Sequence, residues 1–364
     1  MTIKSIFPVL EALAPIGYAE DFDNVGLIIG NANENLKGIL VCHDALECVI
    51  DEAIEKKCNL VVCFHPILFQ GLKKINGKTY VERAVMKAIK HDIAIYAIHT
   101  ALDNHEEGVN QYFSDAIGLS KTKILIQKSF YIQKLVTYTR LENADKLKKA
   151  LFNAGAGHIG NYSNCSFSSI GISTYQGDEN SNPNFGKKHE FVTGEEVKIE
   201  VTFEKHLQEQ IISALKSNHV YEEVAYEIYQ LENKHQNIGL GMIGELNKPM
   251  TEKDFLIHVK QKLDLKVIRH SEFLNKPINK VAVLGGSGSF AINEAIASGA
   301  DAFLTADLKY HQFYEAENKL LLMDVGHYES EKFTKNKIFD FLKKKITNFA
   351  IVLSEINTNP VKYF

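Results

Sequence analysis

The chain has 364 residues, of which 45% are hydrophobic and 24% charged, and its formal net charge is -4. These values exclude a disordered or fibrous chain and a generally basic nucleic-acid-binding protein. The length is typical of two or three domains. The unusual features of the composition are 14 histidines and the absence of tryptophan.

The N-terminal segment does not have the pattern of a signal peptide. Pro8 and Glu11 interrupt its apolar run, so we expect a short amphipathic helix there. Since no stretch of about 18 apolar residues occurs, no membrane span is expected. The five cysteines form no C-x-x-C pair, and Cys42 and Cys63 lie inside apolar runs. Reduced, buried cysteines predict a cytoplasmic protein.

Short apolar runs alternate with helical patterns in the first and last thirds of the chain. The predicted strands are residues 38–43, 59–64, 92–98, 280–284, 301–305 and 320–325. The predicted helices are Leu46–Lys57, Tyr80–His91 and residues 290–298, 309–318 and 329–346. Continuous apolar strands separated by helices predict an α/β fold with largely parallel, buried sheets.

The middle third has a different pattern. Its predicted elements are a strand at 134–140, a helix at 143–154, a polar stretch at 160–196 with a long loop at 176–192, a strand at 197–203, a helix at 205–217 and a strand at 222–231. This order is that of a ferredoxin-like α+β module. We therefore predict a first α/β half over 1–126, an inserted domain over 127–236 and a second α/β half over 237–364 that packs with the first.

Residue types that bind metals or transfer protons follow the predicted strands. Ligands gather at the carboxyl ends of parallel strands, so we expect these side chains to lie close together. They are Asp44, His65, His99, Asp103, Asp307, His311, His327 and Glu331. His43 stands beside Asp44 on the same side of the sheet. A single histidine after a strand is usually structural, whereas the joint pattern indicates a metal site.

The spacing of His327 and Glu331 places both on one helix face if a helix begins near His327. With His65 and Asp103 they form a set of two imidazoles and two carboxylates. Such ligands suit zinc, iron, manganese or cobalt and leave positions open for water or substrate. Three further candidates would orient ligands, carry protons or substitute as ligands. They are His99, Asp307 and His311.

Two other segments each allow a functional and a structural interpretation. The GGSGS segment at 285–289 lies between a strand and a helix, where its backbone amides could hold a phosphate, or it is simply a tight turn. The acidic run at 20–23 is most simply a solvated loop.

Six ordered segments resemble the Nif-three-like family, whose members are commonly labelled GTP cyclohydrolase 1 type 2 homologs. The segments are residues 14–30, 64–75, 97–104, 281–289, 299–311 and 324–331. Residues 155–169 and 221–229 resemble the PII/CutA-like domain that is inserted in the longer bacterial members. Together these segments extend over essentially the whole chain.

The resemblance implies a dinuclear divalent-metal site where the two α/β halves meet, and a toroidal homohexamer. Its ligands match His65, Asp103 as the bridging residue, His327 and Glu331. The implied cofactors are up to two divalent cations per subunit, zinc first, with iron, manganese and cobalt as alternatives. Phe64 stands where the family has the first histidine of His-His-Pro. Either one metal site is then weaker or empty, or a neighbour such as His99 or His311 completes it.

Two functional hypotheses follow from the resemblance. The first is a metal-dependent hydrolase of the GTP cyclohydrolase kind, which opens the guanine ring of a nucleotide-like substrate at C8 and releases formate. The alternative is a non-enzymatic, metal-binding regulatory or metal-handling hexameric scaffold, which the inserted module favours. Nucleic-acid binding is not favoured, because no basic domain is present.

Overall fold

The computed structural model describes residues 1–364 and divides the chain into two compact units. One unit, which we call the α/β unit, contains Met1–Gln127 and Asn237–Phe364, and the other, the middle unit, contains Lys128–Gln236. The structure is mixed α/β with several sheets. None of its helices has the length and apolar character that a bilayer-spanning segment requires.

The first segment of the α/β unit contains five strands and five helices. The strands are β1 (Gly26–Ile29), β2 (Ile39–Asp44), β3 (Leu60–His65), β4 (Ala94–Ala97) and β5 (Leu119–Gln127). The helices are α1 (Phe7–Leu13), α2 (Glu47–Glu55), α3 (Tyr80–Lys90), α4 (Thr100–Asp103) and α5 (Val109–Ile117). Short 3-10 helices occur at Ile3–Ile6 and Ile16–Tyr18.

The middle unit has one antiparallel sheet and two helices. Its elements are β6 (Ile132–Thr139), α6 (Leu141–Asn153), β7 (Phe167–Gln176), β8 (Phe191–Glu204), a 3-10 helix (Lys205–Leu207), α7 (Gln208–Asn218) and β9 (Tyr226–Leu231). The strand order is β7-β8-β6-β9. The polar stretch at 160–196, for which no strand was predicted, contains β7 and the start of β8. Because β7 is exposed along nearly its whole length, it lacks a buried apolar pattern, and pairing with β8 determines its conformation.

The last segment of the α/β unit contains six strands and four helices. The strands are β10 (Gly239–Met250), β11 (Arg269–His270), β12 (Ile278–Ser287), β13 (Ala302–Ala306), β14 (Leu321–Asp324) and β15 (Ile351–Leu353). The helices are α8 (Glu252–Lys262), α9 (Ile292–Ala297), α10 (His327–Glu331) and α11 (Thr334–Lys345), with 3-10 helices at Ser289–Ala291 and Tyr310–Ala316. The helix predicted over 309–318 is therefore a 3-10 helix, and the one predicted over 329–346 is two separate helices.

Two sheets form the centre of the α/β unit. Their strand orders are β1-β4-β3-β2-β15 and β11-β14-β13-β12-β10-β5. The strands β15, β2, β3 and β4 pair in parallel, as do β12, β13 and β14. All six strands predicted from apolar runs have parallel partners. The parallel strand β15 was not predicted, nor was the long antiparallel pair of β5 and β10.

Both ends of the α/β unit contribute to the first sheet. Strand β15 pairs with β2, and Ile338 and Leu342 of α11 pack in one core cluster with Val41 and Val62 of that sheet. Burial of such side chains contributes roughly 1.5–3 kcal/mol each. This packing brings the segment that follows β14 to the carboxyl ends of β2 and β3.

Candidate metal centre

Each parallel sheet carries one histidine–aspartate pair at its carboxyl edge. In the first sheet, Asp44 ends β2 and His65 ends β3, and Asp44 Oδ1 lies 2.8 Å from His65 Nδ1. In the second sheet, Asp307 follows β13 and His327 begins α10, and Asp307 Oδ2 lies 2.7 Å from His327 Nδ1. In both pairs the aspartate engages Nδ1, which leaves Nε2 for another partner.

Both Nε2 atoms meet the same carboxylate. Glu331 Oε2 lies 3.2 Å from His65 Nε2 and 3.2 Å from His327 Nε2. Glu331 is one helical turn after His327 on α10 and is only 4% exposed. A buried carboxylate at the centre of two oriented imidazoles is a donor set suited to a divalent cation.

The electrostatics of this cluster favour positive charge at both imidazoles. Burial alone would lower their pKa values, but the neighbouring carboxylates raise the pKa of His65 to about 10 and that of His327 to about 11. Burial would likewise raise the pKa of Glu331, yet the hydrogen bonds and charges of the two imidazoles hold that pKa well below its usual range. A divalent cation would supply the same positive charge.

Asp103 adds a second carboxylate to the cluster. It ends α4, and its Oδ1 atom is buried without a hydrogen-bond partner. Burial and then the charge of Glu331 raise the pKa of Asp103, although the charge of His65 opposes this shift. An unpaired buried carboxylate oxygen is costly, and coordination to a cation would satisfy it.

The spacing of the donor atoms agrees with this chemistry. Zinc–nitrogen bonds of about 2.0–2.1 Å place tetrahedral ligand atoms about 3.3–3.4 Å apart. The two nitrogen–oxygen distances to Glu331 are both 3.2 Å, and donor atoms of His65, His327 and Glu331 all lie within 4.8 Å of one another. A second group, His43, Asp44 and His65, meets the same limit of 4.8 Å.

The cluster lies beside a cavity of about 700 Å³, which we call the phenylalanine cavity. Its walls include His65, Asp103, His327 and Glu331, together with three phenylalanines. Phe22, Phe69 and Phe290 are 68%, 46% and 57% exposed. Exposed aromatic rings beside a polar cluster are typical of a site for a flat organic ligand.

His99 also lines the phenylalanine cavity and is held by Asp23. His99 Nδ1 lies 2.8 Å from Asp23 Oδ1, and the Thr100 amide donates to Asp23 Oδ2 at 3.0 Å. The backbone of His99 has φ 35°, a conformation that costs energy for a residue other than glycine. The prediction of a solvated acidic loop is wrong for Asp23, because its side chain is fully buried.

The structure does not bring all predicted residues together. His311 is exposed in the 3-10 helix after β13, and its ring contacts are with Tyr310 and Tyr314. His311 is not among the residues that line the phenylalanine cavity. Asp307, in contrast, reaches the cluster through His327.

The GGSGS segment is a packing surface for Glu331. The amides of Gly285 and Gly286 donate to Asn110 Oδ1 and Ser330 Oγ, each at 2.9 Å, so they are not available to a phosphate. A Cβ atom at Gly286, which has φ 65°, would lie 2.4 Å from Glu331 Oε1. These contacts favour a structural role for the segment, in which β12 continues through Ser287 and a 3-10 helix begins at Ser289.

Comparisons with known proteins match the whole chain. The family model of Duf34/NIF3 (NGG1p interacting factor 3) matches residues 1–360. The chain belongs to the Duf34/NIF3 family. It is 39% identical to the GTP cyclohydrolase 1 type 2 homolog of Bacillus subtilis, over 99% of this chain and 98% of that protein. The solved structure of a Bacillus cereus protein related to NIF3 has a TM-score of 0.84 and 36% identity, and it covers 100% of this chain and 99% of its own.

This Duf34/NIF3 chain has a buried phenylalanine beside the cluster. Phe64 precedes His65 on β3, and its ring centroid lies 5.4 Å from that of His43 and 5.7 Å from that of His99. The sequence predicts only that His43 stands beside Asp44 on the same side of the sheet, and His43 was not among the predicted ligands. The signal that distinguishes it is an imidazole followed at once by a carboxylate.

The C-terminal segment of the Duf34/NIF3 chain supports Asp44. The hydroxyl of Thr358 donates to Asp44 Oδ2, so both carboxylate oxygens are engaged. Burial would raise the pKa of Asp44, but the His65 hydrogen bond, the charge of nearby imidazoles and the Thr358 bond lower it. The aspartate is therefore held in its charged form.

Proposed function

We propose that this protein binds divalent cations at His65, Asp103, His327 and Glu331 and is a metal-dependent hydrolase of a nucleotide-like substrate. The observation that carries the proposal is the convergence of two aspartate-oriented imidazoles on one buried carboxylate beside an open cavity. Zinc is the first candidate, with iron, manganese and cobalt as alternatives. The name of its Bacillus subtilis relative, a GTP cyclohydrolase 1 type 2 homolog, agrees with this reaction class.

The chain's own residues would have distinct tasks in such a reaction. When bound, a divalent cation would act as a Lewis acid toward the group under attack. Asp44 and Asp307 fix the orientation of the two imidazoles through Nδ1. His99, held by Asp23 at Nδ1, would accept or donate a proton at Nε2, which is the usual role of an oriented imidazole.

The phenylalanine cavity supports an aromatic substrate. The rings of Phe22 and Phe69 have centroids 6.3 Å apart and are tilted by 58°. Aromatic pairs favour offset or edge-to-face contacts that add about 0.5–1.5 kcal/mol beyond the burial of their area. We therefore propose that these rings and Phe290 hold a purine base.

Product analysis tests the enzymatic proposal. The zinc-loaded protein would be incubated with GTP and a panel of other nucleotides, and formate and ring-opened products would be measured by mass spectrometry. We expect turnover that is lost in Asp103→Asn. A zinc-loaded wild-type protein that converts none of these compounds would instead support the alternative of a metal-binding scaffold.

The middle unit supports a proposal of self-association. Strand β7 lies at the edge of its sheet, and Phe167, Ile170 and Ile172 on it are 67%, 67% and 78% exposed. An apolar edge strand of this kind marks a pairing surface. We propose that this unit is a ferredoxin-like, PII/CutA-like module. We also propose that the protein associates through it into a homohexamer. Light scattering should then give six chains per particle, and Ile172→Lys should reduce that number.

The cysteines support a proposed cytoplasmic location. All five are free thiols, and Cys42, Cys58 and Cys63 are buried. Free thiols are kept reduced in the cytosol, whereas secreted proteins commonly pair them. Fractionation of cells that express the protein tests this proposal.

A further inference from the structure

His43 is a buried imidazole without a hydrogen-bond partner. Its side chain is 3% exposed, and neither Nδ1 nor Nε2 has a hydrogen-bond partner within the chain. Burial of a polar group without a partner costs roughly 1–3 kcal/mol by protein mutational data. Such a group therefore calls for a ligand or a functional explanation.

The strand register places His43 next to Phe64. In the parallel β2–β3 pair, Cys42 lies opposite Cys63 and Asp44 lies opposite His65. His43 and Phe64 are therefore neighbours on the same face of the sheet, about 4.8 Å apart across the strands. Their rings stack with centroids 5.4 Å apart. Phe64 offers no ligand atom, so His43 is the nitrogen donor on this face at that row of the sheet.

The His43 ring is directed at the same carboxylate as the other two imidazoles. His43 Nε2 lies 3.7 Å from Glu331 Oε2, and the His43 and His65 ring centroids are 4.7 Å apart. Three imidazole nitrogens thus surround Glu331 Oε2 at 3.2, 3.2 and 3.7 Å. The ligand spacing of a tetrahedral zinc site is about 3.3–3.4 Å.

We propose that His43 is a metal ligand and completes a set of three imidazoles and one carboxylate with His65, His327 and Glu331. This inference rests on the proposed metal site and adds to it a ligand from strand β2. Packing orients the ring where no aspartate does: Phe64 stacks on it, and Tyr328 meets it edge-on with centroids 5.2 Å apart. The loss of His43 should therefore weaken metal binding by more than the ~10–100-fold that is typical of losing an outer hydrogen-bond partner.

Zinc and cobalt titrations of the full-length protein test the proposal. We expect His43→Leu to bind zinc more than ~100-fold more weakly than wild type, beyond the range for an outer partner, by competition with a chromophoric chelator. The visible absorption of the Co²⁺-loaded protein should also change, because the number of nitrogen ligands falls. In the double variant His43→Leu/Phe64→His, which moves the imidazole to the neighbouring strand, we expect zinc affinity to recover.

Control variants separate the possible failures. His219→Leu removes a half-buried imidazole of the middle unit, which contacts the Tyr138 carbonyl oxygen, and should leave zinc affinity unchanged. Wild-type affinity and an unchanged Co²⁺ spectrum in His43→Leu, with zinc binding lost in Glu331→Gln, would overturn the role of His43 alone. Weak binding in His43→Leu without recovery in the double variant would also overturn it. Wild-type affinity in both His43→Leu and Glu331→Gln would overturn the proposed metal site itself.

Discussion

Each of the two sheets of the α/β unit carries one histidine–aspartate pair, and the two pairs differ in their exposure to solvent. In the first sheet, the side chains of His65 and Asp44 are 23% and 26% exposed, whereas those of His327 and Asp307 in the second sheet are 39% and 49% exposed. The first pair is enclosed by His43 and Thr358, while the second is more open to solvent. The same chemical unit, an aspartate that contacts the Nδ1 of a histidine, therefore occurs on both sides of the site. We call the less exposed pair, Asp44 and His65, the anchored side, and the more exposed pair, Asp307 and His327, the accessible side.

The largest expected effect belongs to Glu331, where the two sides meet. Glu331→Gln retains the shape of the side chain but removes the charge that both imidazoles share. We expect zinc affinity to fall by more than ~100-fold, beyond the range for an outer partner, in a chelator-competition assay. The matched control is Glu329→Gln on the same helix, whose carboxylate accepts from the Asn359 side-chain amide. Equal affinities in Glu331→Gln and wild type would contradict a shared carboxylate.

Asp44→Asn tests the anchored side and should have the next largest effect. Asp44 contacts His65 Nδ1 through Oδ1 and accepts a hydrogen bond from the Thr358 hydroxyl through Oδ2, so its charge lies in a partly desolvated position. We expect zinc affinity to fall by about 100-fold, at the upper end for an outer partner. Asp51→Asn, which removes an exposed carboxylate paired with Lys87, serves as the control for a surface change. A loss of similar size in Asp51→Asn would show that the assay reports general charge and not the site.

Asp307→Asn tests the accessible side and should have the smallest effect of the three. Its carboxylate is half exposed, so water can replace part of its interaction with His327. We expect zinc affinity to fall by about 10-fold, at the lower end for an outer partner. The same titration, run side by side with Asp44→Asn, provides the measurement. If Asp307→Asn is the weaker binder, the assignment of anchored and accessible sides is reversed.

Much of the central architecture could be predicted from local pattern, because parallel strands buried on both faces read as continuous apolar runs. The strands ending at Asp44 and His65 were predicted for this reason. Strand β7 was not, because it is exposed and its partner strand determines its conformation. Strands β5 and β10 were also missed, since their pairing joins segments far apart in the sequence.

The candidate site shows the same division. His65 ends a strand of the first sheet, and His327 and Glu331 follow a strand of the second, as the sequence pattern predicted; the structure places their donor atoms together. Their role as metal ligands stays a prediction. Asp23 and His43 were not assigned to the site. Only tertiary packing distinguishes Asp23 within its acidic run, and the local signal at His43 is no more than the carboxylate that follows it.

The hydrogen bond from Thr358 to Asp44 joins residues 314 positions apart. During translation, His43, Asp44 and His65 leave the ribosome long before Glu331 and Thr358. No partial chain that lacks Glu331 holds the donor set in which the imidazoles converge. A cation that binds the proposed site would therefore have to do so after Glu331 has been synthesised.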